Sequence, residues 1–155
     1  MTPEIIFRDD MTLEEARSAL RELVEEGHTC PLCTQFAKVY KRTIHGRMAA
    51  DLIKVYKTVP VWEWFHLPSV LGYGGDFAKM THWGLIEEEG SLRDDGGRAG
   101  WWRLTTAAEE WIEQRSSMLK YARIYDGRSL GLTGPPLTIV EALGKNFDYS
   151  ELMAS

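Results

Sequence analysis

Long apolar runs are missing from this chain of 155 residues. No uncharged stretch approaches the ~18 residues that a membrane span needs, so no membrane partner is expected. No secretory leader is expected either, because charges follow Met1-Thr2-Pro3-Glu4 within a few positions. Cysteine is scarce. Two residues make no disulfide framework, which points to a reducing, cytoplasmic compartment. Positive charge is short as well: 18 Lys plus Arg against 23 Asp plus Glu leave a net charge of -5. That balance argues against a strongly basic nucleic-acid binder, whose affinity comes from neutralising phosphates. Catalytic signatures are lacking too. There is no Ser-His-Asp elbow, P-loop or paired zinc-helix motif. Gly72-Tyr73-Gly74-Gly75 lacks the Lys-Ser/Thr that a phosphate loop requires. A non-enzymatic protein is expected. No internal repeat or low-complexity segment is found.

What is present suffices for a core. A chain of this length fits one domain and buries roughly 70% of its unfolded surface. The charge is unevenly spread. Residues 1–27 carry three arginines against eight acids, whereas residues 34–57 carry Lys38, Lys41, Arg42, Arg47, Lys54 and Lys57 against Asp51. A local basic face inside an acidic whole fits either a partner surface or the solvated side of helices.

Thr12 and Glu15 form a capping box, and Leu13, Ala16, Leu20, Leu23 and Val24 follow at helical spacing up to Gly27. A knuckle, His28-Thr29-Cys30-Pro31-Leu32-Cys33, comes next. The spacing then predicts helices over residues 34–42 and 47–57, with Phe36, Val39 and Tyr40 inward in the first. Residues 61–67 predict a short aromatic strand ended by Pro68. Asp76 predicts a cap for a helix through Trp83, closed by Gly84. Leu85-Ile86 and Trp101-Trp102-Arg103-Leu104 predict the arms of a hairpin with its tip at Asp94-Asp95-Gly96-Gly97. Thr106 and Glu109 predict a capping box for a further helix. In the tail, Asp126-Gly127 predicts a second hairpin, between residues 120–125 and 128–132. Thr138 to Leu143 predicts a capped helix, followed by a packed element over residues 147–153.

Residues 47–113 thus read as helix, strand, turn, helix, two-stranded hairpin, helix. Within them stand His82-Trp83-Gly84-Leu85-Ile86, a run of acids, Gly97-Arg98, and Trp102-Arg103-Leu104-Thr105. This pattern resembles MarR-type and related small prokaryotic winged-helix proteins. The whole chain is also similar to small bacteriophage proteins with a Cys-Pro-x-Cys knuckle before the winged helix. The resemblance implies an α+β fold: a winged helix-turn-helix core at 47–116, a helical extension with the knuckle at 1–46, and a hairpin and short-helix tail at 117–155. It implies a DNA-binding regulator whose helix 76–83 enters the major groove. Lys79, Thr81 and His82 would then reach bases or phosphates, and Arg93, Arg98 and Arg103 would follow the backbone from the wing. Dimerisation would join two half-sites of double-stranded DNA. Winged helices also serve as protein-interaction modules, so the rival expectation is a module that engages a host protein.

Two further sites are open in the residues themselves. Trp101 and Trp102 are strand neighbours and face opposite ways; Trp102 shares the face of Leu104, so Trp101 points outward. It is then covered by the tail, buried in a homodimer, or offered to a partner. Cys30-x-x-Cys33 has the spacing of half a zinc site, which His28 and His45 would complete. A reduced thiol pair and a redox pair fit the same residues.

Overall fold

The computed structural model describes residues 7–72, 75–90 and 100–155. In chain order they form α1 (Leu13–Leu23), β1 (His28–Thr29), β2 (Phe36–Ala37), β3 (Tyr40–Thr43), α2 (Gly46–Thr58), β4 (Phe65–His66) and α3 (Leu67–Leu71). A 3₁₀ helix (Phe77–Trp83), β5 (Ile86–Glu88), β6 (Trp101–Leu104), α4 (Thr106–Ile112), β7 (Met118–Tyr125), β8 (Arg128–Leu137), α5 (Ile139–Leu143) and α6 (Tyr149–Ala154) follow. The fold is α+β with small antiparallel sheets, ordered β1-β2, β3-β7-β8 and β4-β6-β5. No helix among the described residues is long and apolar enough to cross a membrane.

The chain packs as two compact units, Met1–Arg42 with Arg123–Leu130, and Thr43–Ala122 with Gly131–Ser155. In the first, Thr12 caps α1 by accepting from the Glu15 amide at 3.1 Å. The helix buries none of its side chains. The region expected as a helix over 34–42 is instead two strands. Thr34 takes a left-handed φ of 64°, which turns the chain back so that Phe36 lies opposite Thr29 and Ala37 opposite His28. Val39 is buried, but Phe36 and Tyr40 are exposed, so their helical spacing does not mark a common inner face. Arg123 forms an ion pair with Glu25.

The second unit is built on α2, whose Met48, Leu52, Ile53 and Val55 are buried. Phe77, Met80, Leu85, Leu104, Trp111, Ile112 and Ile139 are buried with them. Trp111 donates its indole N–H to the Leu137 carbonyl at 2.9 Å, which removes the cost of burying that donor. The strand expected over 61–67 shrinks to β4, because Trp62 takes a φ of 70° that no strand tolerates. Pro68 does not end it. It sits in the first turn of α3, where a missing N–H costs nothing.

The helix expected over 76–83 is of the tighter 3₁₀ kind, and the Asp76 side chain makes no capping bond. Gly84 closes it with a φ of 71°. β5 and β6 pair antiparallel as expected for the hairpin arms, with Ile86 opposite Leu104 and Glu87 opposite Arg103. The expected tip at 94–97 lies outside the described residues. The cap of α4 is Thr105 rather than Thr106: its hydroxyl accepts from Ala108 N at 3.3 Å and donates to Gly84 O at 2.6 Å. Asp126 and Gly127 turn the β7–β8 hairpin with φ of 50° and 74°. Thr138 and Glu141 form the reciprocal capping box of α5.

Candidate interaction surface

Side chains alternate along a strand, so β6 sends Trp102 and Leu104 inward and Trp101 and Arg103 outward. β4 pairs with β6 with Phe65 opposite Trp102 and His66 opposite Trp101. His66 therefore joins the outer face, and its ring lies 5.5 Å from that of Trp101. Two residues before it stands Trp64, and beyond that Trp62 takes a left-handed turn; both indoles lie against the Arg103 guanidinium. The Arg103 guanidinium lies 4.4 Å from the Trp64 ring centre and 4.9 Å from that of Trp62. Arg103 also donates to one carboxylate oxygen of Glu87, at 2.8 Å from Nη2 and 2.9 Å from Nε. Trp62 donates its indole N–H to Thr106 Oγ1 at 2.9 Å. Trp62, Trp64 and Trp101 nevertheless keep 46%, 37% and 41% of their surface exposed. The outer face of this three-stranded sheet is thus a set of indoles held in place from below and open above. Arg103 and Glu87 are paired with each other within it.

The residues expected to meet DNA are arranged differently. Lys79 and Thr81 are exposed on the 3₁₀ helix. Lys79, however, is 2.9 Å from Asp76 Oδ1, and His45 Nε2 is 3.1 Å from Asp76 Oδ2. Hydrogen bonds from Lys79 and His45 hold the Asp76 carboxyl below the usual range. His82 is half-buried, and burial pushes its imidazole below its ordinary value, which favours the neutral ring. Arg93 and Arg98 lie outside the described residues. The basic stretch 34–57 forms no continuous helix face: Lys38, Lys41 and Arg42 lie in the first unit, and Arg47, Lys54 and Lys57 on α2. Arg47 pairs with Asp51 at 3.5 Å.

Of the four residues expected to hold zinc, three lie in the first unit and one in the second. Cys30 and Cys33 are free thiols of the first unit. His28 lies there too, with its ring 5.5 Å from that of Phe7. His45 belongs to the second unit, where it bonds Asp76. Among the described residues no three His, Cys, Asp or Glu side chains are grouped to hold a metal. Elsewhere, Tyr56 donates to Glu113 at 2.7 Å. That bond, with burial and the carboxylate charge, pushes the phenol up to about 12, and the same bond, with Arg115, holds Glu113 below its usual range.

Sequence reasoning singled out Trp101 but missed the Trp62–Arg103–Trp64 stack. Trp62-Glu63-Trp64 was the available signal. The partner, Arg103, is remote in sequence and reaches the pair only through β4–β6 pairing. No family model, curated protein or solved structure matches the chain.

Proposed function

We propose that residues 46–112 form a winged-helix-like, non-enzymatic binding module whose aromatic sheet face engages a protein partner. The element order supports the architecture: α2, β4, α3, the 3₁₀ helix, β5, β6 and α4, with β4 paired to the second hairpin arm. The observation that carries the function is the exposure of Trp62, Trp64 and Trp101 on one ordered face. Indoles are the residues most enriched at energetic centres of protein interfaces. Rigid ones lose little entropy on binding, since their partners already fix them. The open indole surface favours a partner segment carrying Arg or Lys, whose cation can stack on it. A host-cell protein is the kind of partner that the resemblance to bacteriophage proteins implies.

The test is a titration of the protein with arginine-containing peptides and with acidic peptides of matched length, read by tryptophan fluorescence. Saturable binding of the basic set, lost in W64A and W101A, supports the proposal. Equal binding of both sets, or binding unchanged by these substitutions, overturns it.

A second reading, a DNA-binding regulator, is favoured by the exposure of Lys79 and Thr81 on the 3₁₀ helix. Fluorescence anisotropy with mixed duplex DNA at two salt concentrations tests it. Affinity that falls with salt and is weakened by K79A supports this reading, and no binding at low salt removes it.

A further inference from the structure

The first unit is short of interior. Among its described residues only Ala37 and Val39 are buried. Units with so little core are held together by disulfides, by metals or by association. The β1–β2 hairpin supplies two sulfurs at its tip. Cys30 N donates to Gln35 O at 2.8 Å, and Thr34 N donates to Cys30 O at 2.9 Å, which close the turn between the two cysteines. The tip is open: Cys33 is exposed, and Leu32 between the cysteines keeps 66% of its surface.

Two sulfurs are half of a tetrahedral zinc set. Among the described residues of the first unit the other half is not grouped with them. His28 packs on Phe7, His45 bonds Asp76, and no third ligand joins the cysteines among the described residues. A second knuckle of the same kind supplies what is missing, in the same geometry and with the same exposed leucine beside it. We infer that Cys30 and Cys33 from two copies of this chain share one zinc ion, bound by four thiolates. Binding displaces the thiol proton from each sulfur and leaves the oxidation state of sulfur and metal unchanged. The site joins two first units and gives each the cross-link that its small core lacks. It is independent of the aromatic face.

The test uses the reduced, full-length protein and zinc alone. Sedimentation analysis with metal quantification is expected to show a dimer holding one zinc per two chains, which a chelator returns to monomer. Cobalt in place of zinc reports the ligands without any substitution. Intense tetrahedral bands with strong sulfur-to-cobalt charge transfer, saturating at half an equivalent per chain, are expected from a four-thiolate site. C33S is expected to lose both dimer and metal. One zinc per monomer, no stoichiometric zinc, or a dimer indifferent to chelator each overturns the inference.

Discussion

The Arg103 guanidinium lies 4.4 Å from the centre of the Trp64 ring. The contact joins β6 to the segment before β4 on the outer face of the sheet, and Glu87 orients the guanidinium from β5. A flat cation over an indole, partly shielded from water, is worth about 1–2 kcal/mol. R103A is expected to lower unfolding stability by that order in urea titration. R103K is expected to recover only part, because an ammonium neither stacks nor forks onto Glu87. An R103A protein as stable as the parent contradicts the stack.

Trp62 holds a left-handed φ of 70°, a conformation that side chains with a Cβ resist. The strain is offset by its contacts with Thr106 and Arg103. W62A keeps the strain and loses the contacts. W62G loses the contacts but relieves the strain. W62G is therefore expected to be the more stable of the two, by about 1 kcal/mol. Denaturant unfolding of the pair checks it, and the reverse order contradicts the assignment of strain.

Thr105 is buried, and its hydroxyl both caps α4 and ties it to the Gly84 and Leu85 carbonyls. T105V preserves shape and removes those bonds, at an expected cost of about 1–2 kcal/mol. T105S, which keeps the hydroxyl, is expected to restore most of the loss. Thermal unfolding of the two variants reads the difference; equal melting of T105V and T105S counts against the hydroxyl.

Tyr56 gives a pH dependence. Its phenol is raised from 10.0 to about 12 in the folded protein by the bond to Glu113. The unfolded chain loses that proton first, so the stabilisation is complete below pH 10 and disappears as pH rises through about 12. The stability difference between the parent and Y56F is therefore expected to narrow across that window. Denaturant midpoints at both ends measure it, and a constant difference refutes the raised phenol.

Local chemistry made some elements legible from sequence alone. Asp126-Gly127 supplies the two left-handed residues that a tight hairpin needs, and Thr138 with Glu141 satisfies the first amides of α5. The α2 helix was legible because Met48, Leu52 and Ile53 stand at helical spacing and are all buried, although Ala49, Ala50, Asp51 and Val55 are buried beside them. Residues 34–42 misled, since Phe36, Val39 and Tyr40 share helical spacing while strand pairing decides their conformation. The stack at Arg103 was illegible for a different reason. It depends on a cross-strand register that no local pattern encodes.

The central claim is that the open indoles of Trp62, Trp64 and Trp101 meet a basic protein segment. Indole N–H resonances recorded during titration with an arginine-containing peptide, and separately with duplex DNA, test it most directly. The account expects Trp64 and Trp101 to shift saturably with the peptide and to stay still with DNA. Indoles that move with DNA, or that ignore the peptide throughout, contradict it.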